Sequence, residues 1–255
     1  MTAWSIGTFI AVSTLRSFGS WLTELDPPTL ARSPTIGIKE QIIDEAPPKS
    51  LDGRELHALF KAADDLVVTT TRTNARPRRN RAILHTLVYT GLRVSELVSL
   101  KLEQYQAHYF LDVRCKGRRR RRIFVPAEAR KHLDDYLKTE RPQDTAGAGA
   151  LYLFCKSSTD RTGPGKLSRI EIQLVLKKLA AEASKFRKAE DKITVHPHQL
   201  RHNYAYMIRK LTGSDAITAA RLGHTSTRYI ARYAQEPDAD LEALLDGLKP
   251  GELVT

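Results

Sequence analysis

The stretch HPHQLRHNYAYMIRKLTGSDAITAARLGHTSTRYIARY, residues 196–233, decides how this chain is read. His198 and Arg201 stand three residues apart, which puts them on one face of a helix. Leu200, Tyr204, Met207, Ile208 and Leu211 form an apolar stripe at helical spacing, and Gly213 ends it. A short segment from Asp215 to Leu222 leads to a Leu222-Gly223-His224 corner, and Tyr233 follows nine residues after His224. Basic side chains gathered near one tyrosine describe an activated phenol attacking an anion. Tyr229 competes with Tyr233 for that part. A lone histidine is more often a satisfied structural residue, and a lone helical tyrosine more often packs in a core. Other segments must therefore supply more charge for the anion.

Two segments do so. In Thr90-Gly91-Leu92-Arg93-Val94-Ser95-Glu96-Leu97, Arg93 follows a glycine turn at the start of a helix. A guanidinium there is presented to an anion beside free backbone N–H groups. Glu96 either buttresses Arg93 or pairs locally. The second segment is Cys115-Lys116-Gly117, at the tip of an expected β-hairpin, where Lys116 reaches into a groove and donates a proton. Arg118, Arg119, Arg120, Arg121 and Arg122 follow directly. Strand alternation sends only some of them to one face, so phosphate contacts rather than chemistry are expected of most. The plainer alternatives are a solvated patch or an address signal.

The remaining chain reads as a framework. Residues 1–24 form an amphipathic helix with Leu15, Phe18, Trp21 and Leu22 on one face, stopped by Pro27-Pro28. Residues 27–50 are proline-rich and read as a linker. A short helix after Ser50-Leu51-Asp52 carries Leu56, Leu59 and Phe60. Residues 69–80 read as a basic loop. A helix with Ile83, Leu84, Leu87 and Val88 ends at Gly91, and the next turns Val94, Leu97 and Val98 inward. Tyr109, Leu111 and Val113 alternate as a strand, and Ile123-Phe124-Val125 returns. Leu151-Tyr152-Leu153-Phe154 reads as a third short strand. Ser168 and Glu171 make a capping box opening a helix with Ile172, Val175, Leu176 and Leu179 inward. The tail DADLEALLDGL, residues 238–248, is a short amphipathic helix.

Composition sets the bounds. At 255 residues the chain makes one large or two small domains with a real core. Hydrophobic residues are 41% and charged residues 27%, ordinary for a globular protein. Lys+Arg number 41 against 29 Asp+Glu, a net charge of +12, with a pI near 9.8. That balance favours a polyanion, most simply nucleic acid; a solubilising surface is the plainer reading that composition leaves open. Cys115 and Cys155 make neither a metal spacing nor a disulfide framework, so a reducing compartment fits. No apolar run is long enough for a membrane span, and the N-terminus lacks the basic start of a signal peptide.

Five segments in this order resemble the tyrosine recombinases, the family of phage integrases and chromosome-dimer-resolving recombinases. They are the TGLRxSEL-like segment at 90–97, the lysine of the KG pair at 116, HxLRH at 198–202, LGH at 222–224 and the tyrosine at 233. The resemblance spans roughly residues 50–240. It implies a mainly α fold with a small antiparallel β-sheet (α+β), the integrase catalytic-domain fold. Residues 1–48 then hold a partial core-binding region (one helix and a linker), and 49–255 the catalytic domain. By resemblance Arg93 and Arg201 clamp the scissile phosphate, and Lys116 protonates the leaving 5′ oxygen. His198 assists proton transfer, His224 supports the phosphate and Tyr233 is the nucleophile. His202 is assigned to packing. The family implies a 3′-phosphotyrosyl intermediate formed without metal, ATP or other cofactor. It also implies double-stranded DNA as partner, a homo-tetramer on paired DNA sites, no membrane and a cytoplasmic, nucleoid-associated location. The tail helix has two possible seats, a neighbouring protomer or its own domain. The alternatives are a type IB topoisomerase-like relaxation of DNA and a DNA-binding remnant without strand exchange.

Overall fold

A computed structural model describes residues 4–27, 29–36, 50–71, 75–114, 119–144, 151–156, 165–223, 239–248 and 250. The chain divides into two compact units, Met1–Pro47 and Pro48–Thr255. The first contains one long helix, α1 (Trp4–Glu24). Its Leu15, Phe18 and Trp21 are exposed, and the Phe18 and Trp21 rings stack at 5.7 Å.

The second unit is built around α3 (Pro77–Thr90). A single 3.6-period stripe is expected of this helix, yet Ala82 through Thr90 are all buried. The reason is that α3 is packed on several sides, by α2 (Gly53–Thr69), α5 (Ala127–Thr139), α7 (Arg169–Ala183) and α8 (Pro197–Thr212). A helix wrapped this way buries its polar side chains as well as its apolar ones. Truncating a side chain such as Leu87 to alanine there costs about 2–5 kcal/mol.

Capping fixes where the helices begin. Asp52 Oδ1 accepts the Glu55 N–H at 2.8 Å, and Glu55 Oε2 accepts the Asp52 N–H at 2.9 Å, closing a capping box on α2. Ser168 and Glu171 do the same for α7, as the sequence predicts. The expected loop at 69–80 is shorter than its polarity implies. Pro77 supplies a ready φ for the first turn of α3, and Glu140 accepts the N–H groups of Arg78 and Arg79 at 2.9 and 2.8 Å. That remote carboxylate turns a basic loop into a helix start.

The sheet has three antiparallel strands in the order β1 (Tyr105–Gln106), β2 (Tyr109–Arg114) and β3 (Arg120–Phe124). Residues 151–154 do not extend it. They make backbone hydrogen bonds to Leu100 and Leu102 and one isolated bridge at Tyr152, too little for a strand. An irregularity lies between Phe110 and Val113, where Asp112 takes φ 53°. Beyond it Val113 pairs with Arg121 and Arg114 with Arg120.

Helix α5 is unannounced in the sequence reading. It follows Pro126, buries Ala129, His132, Leu133 and Tyr136, and is followed by the short α6 (Arg141–Asp144). Helices α4 (Val94–Leu97) and α9 (Asp215–Leu222) are short. The tail forms α10 (Ala239–Gly247) and packs on its own unit against α5 and α8. Leu241 and Leu245 are buried. Asp246 accepts the Ala127 N–H at 2.7 Å, and Glu242 accepts the Tyr109 hydroxyl at 2.7 Å.

Candidate functional site

The site begins at the C-terminal end of α3. Gly91 takes the left-handed conformation, φ 59°, and its N–H closes the helix on the Leu87 carbonyl at 3.1 Å. No other residue type fits, because a Cβ here would stand 2.3 Å from the Tyr204 ring. The chain then reverses, and Arg93 becomes the N-cap of α4 in extended conformation. Glu96, one turn on, is buried and reaches back. Its Oε2 accepts the Arg93 N–H at 2.8 Å and its Oε1 accepts an Arg93 guanidinium hydrogen at 3.0 Å. Of the two uses open to Glu96, buttressing Arg93 is the one realised. The Arg93 side chain stays 29% exposed, so the guanidinium is oriented without being sealed away.

The same Glu96 carboxylate also accepts from Arg121 of β3 at 3.2 Å. Strand alternation explains why Arg121 and not its neighbours turns inward. It shares a face with the buried Ile123, while Arg120 and Arg122 face outward. Arg121 donates further to the Arg221 carbonyl at the end of α9. It is thus spent on internal contacts, which departs from the phosphate-facing part expected of the arginine run. Arg119 and Arg120 are exposed, and Arg122 lies over the Tyr109 ring at 4.3 Å. Arg118 lies outside the described residues.

Arg201 closes the arrangement from α8. It is buried, and its guanidinium donates to the Gly91 carbonyl and to the Leu222 carbonyl, both at 2.5 Å. These carbonyls sit at helix ends, where no intrahelical donor remains for them. A ring of contacts results. It runs from Arg201 to Gly91, along the chain to Arg93, through Glu96 to Arg121, then to Arg221 and Leu222 and back to Arg201. Gly223 follows with φ 68°, packed against the Arg121 guanidinium, where a Cβ would come within 3.3 Å.

His198 lies exposed in the first turn of α8, three residues before Arg201. His202 is also exposed, so the packing expected of it is not what it does. Its pKa is pushed down by partial burial and by the nearby His198 and Arg201. Tyr204 is buried under the glycine corner, and burial pushes its phenol up against the opposing pull of Arg221, Arg121 and Arg201. A phenol so placed packs and does not attack. Lys116, His224, Tyr233 and the competitor Tyr229 lie outside the described residues. The structure therefore brings Arg93 and Arg201 to one corner, adds Glu96 and Arg121 as their positioning partners, and leads the chain to the residue before His224. Nothing in the arginine run marks Arg121 for this part except its parity with Ile123.

Among the described residues no helix is long and apolar enough to cross a membrane. Tyrosine recombinase XerS of Streptococcus pneumoniae is 29% identical over 214 residues, covering 81% of this chain and 51% of that protein. The chain thus spans about half the length of the curated relatives it matches. The crystal structure of XerA recombinase is similar at 26% identity and a TM-score of 0.54, over 77% of this chain and 64% of that one. The integrase of transposon Tn1549, solved in complex with circular intermediate DNA, shares the fold at 16% identity and a TM-score of 0.61. It covers 93% of this chain and 78% of that one. The phage integrase family model runs from residue 49 to residue 239, across every member of the ring around Gly91, and this chain belongs to that family.

Proposed function

We propose that this chain is the strand-breaking and rejoining unit of a site-specific DNA recombinase, acting on double-stranded DNA. The observation that carries the reading is the shared anchoring of two arginines at one corner. Arg201 holds the Gly91 carbonyl, and Arg93, two residues on, is held by Glu96. A phosphodiester is anionic, and its pentavalent transition state gathers more negative charge. Guanidiniums fixed in advance stabilise that state without reorganising during the reaction.

In this reading Arg93 and Arg201 clamp the scissile phosphate. Tyr233 attacks phosphorus through its phenolic oxygen, and the bond to the 5′ oxygen breaks. Lys116 delivers the proton to that oxygen, with His198 assisting transfer and His224 supporting the phosphate. A free tyrosine, with a pKa of about 10, is a poor nucleophile at neutral pH. The fixed cations lower the cost of forming its phenolate. The product is a 3′-phosphotyrosyl bond and a free 5′-hydroxyl, and a second 5′-hydroxyl reverses the step on a new partner. In this reading the working assembly is a homo-tetramer on two DNA duplexes. Arg119 and Arg120, exposed on the hairpin, contribute the salt-dependent, sequence-independent part of binding.

A pool of nicked duplexes that trap the covalent step tests this. The expected product is an SDS-resistant protein–DNA adduct, kept in Tyr229→Phe and absent from Tyr233→Phe. Bound DNA without any adduct would leave a binding remnant. Relaxation of supercoiled plasmid with no site requirement would make the enzyme a type IB topoisomerase.

A further inference from the structure

The seam between α3 and α5 carries a second group of chemistry-bearing side chains that strand breakage does not use. His85 of α3 faces Glu128 and His132 of α5, and one ligand atom from each lies within 4.8 Å of the others. Glu128 and His132 are one helical turn apart, so both project from the same face of α5. His132 Nε2 stands 3.0 Å from Glu128 Oε1, and the two imidazole rings are 3.9 Å apart between centroids. His85 is 1% exposed, and neither of its ring nitrogens has a hydrogen-bond partner, nor does Nδ1 of His132. Buried polar atoms are ordinarily satisfied, and an imidazole always carries at least one N–H, so this cluster calls for a reason.

The surroundings favour neutral imidazoles with available lone pairs. Burial drives His85 well below the ordinary histidine range, with His132, Arg81 and Lys131 adding to it. Burial and Arg81 also lower His132, against the pull of Glu128. The nearby cations are themselves engaged. Arg81 is held by Asp64 and Asp135 at 2.7 Å each, Arg78 by Asp135 at 3.2 Å, and Lys131 stands 3.9 Å from Glu128. Glu128 and His132 also line a surface cleft of about 430 Å³, which gives an ion and solvent a way in.

We propose that His85, Glu128 and His132 form a binding site for a divalent transition metal of the zinc class, with solvent from the cleft as the fourth ligand. Two imidazole nitrogens and one carboxylate oxygen are a donor set such ions take, at bond lengths of roughly 2.0–2.2 Å. The ion would tie α5 to the helix that ends in the Gly91 corner, and so stabilise the frame behind the phosphate site without touching DNA.

The test titrates zinc chloride, and separately cobalt chloride, into the full chain after treatment with a chelator. The expected result is one equivalent bound, visible d–d absorption from the cobalt form, and a rise in melting temperature reversed by chelator. Glu128→Gln and His132→Gln should each weaken binding on the order of tenfold or more. Glu128 is partly exposed at the cleft, so its variant keeps the test open if the His132 variant does not fold. His198→Ala should leave the affinity unchanged. No binding near one equivalent, unchanged affinity in the Glu128 variant, or loss of binding in the His198 variant would overturn the proposal.

Discussion

Arg201 donates a guanidinium hydrogen bond to the carbonyl oxygen of Gly91, 2.5 Å away and 110 residues earlier in the chain. A second bond from the same guanidinium reaches Leu222. One side chain thus fixes the corner that launches Arg93 and the helix end that leads to His224. The planar fork of arginine can serve two carbonyls at once, whereas an ammonium cannot reproduce that geometry.

Arg201→Lys should therefore loosen both helix ends in addition to weakening the proposed phosphate clamp. Adduct formation is expected to fall by about 10²–10³, and stability by about 2 kcal/mol as one buried carbonyl loses its donor. Single-turnover cleavage and thermal melting check the two effects. Cleavage at the wild-type rate would contradict this account of Arg201.

Among the described residues, Glu96 is the one carboxylate gripping both Arg93 and Arg121. Glu96→Gln keeps an acceptor but removes the charge, and is expected to cost about 1–3 kcal/mol. Cleavage should fall roughly tenfold as Arg93 loosens, since one kcal/mol or so of misplacement is about that in rate. Denaturant unfolding and adduct kinetics measure the pair. An unchanged midpoint together with an unchanged rate would remove Glu96 from the site.

Gly91 and Gly213 both take positive φ, 59° and 65°, but only Gly91 is crowded. Gly213→Ala should cost only the left-handed penalty, about 1–2 kcal/mol. Gly91→Ala adds a clash with the buried Tyr204 ring and should lose at least about 3 kcal/mol. Equal melting temperatures for the two variants would mean that the corner yields easily.

Tyr204 gives a pH signature. Burial raises its folded pKa above the ordinary value of 10.0, so the folded state holds the proton more tightly than the unfolded chain. The resulting stability is fully present below about pH 10 and is lost as pH rises past it. Tyr204→Phe should flatten the alkaline limb of a stability–pH curve relative to wild type. Parallel curves above pH 10 would show that Tyr204 does not supply that slope.

The sequence makes the site's order legible because its parts lie in short, chemically marked segments. Gly91 is readable as a turn, Arg93 as a helix start and Arg201 as one face of a stripe. What is not legible is long-range. Glu140 capping α3 from about sixty residues away cannot be seen in the basic run 69–80. Asn203 holds both backbone groups of Leu51 across 152 residues, which no local pattern announces. The arginine run conceals Arg121, since five identical side chains hide which parity faces the core. The third expected strand fails for the same reason. Of residues 151–154 only Leu153 and Phe154 are buried, and the segment bonds to Leu100 and Leu102 without extending the sheet.

The central claim is that Tyr233 becomes covalently joined to DNA. Trypsin cuts after Arg228 and Arg232, so Tyr229 and Tyr233 fall in separate peptides. Mass spectrometry of the digested adduct should find the nucleotide phosphate on the peptide that begins at Tyr233. Finding it on the peptide of residues 229–232, or on any other tyrosine, would contradict the account.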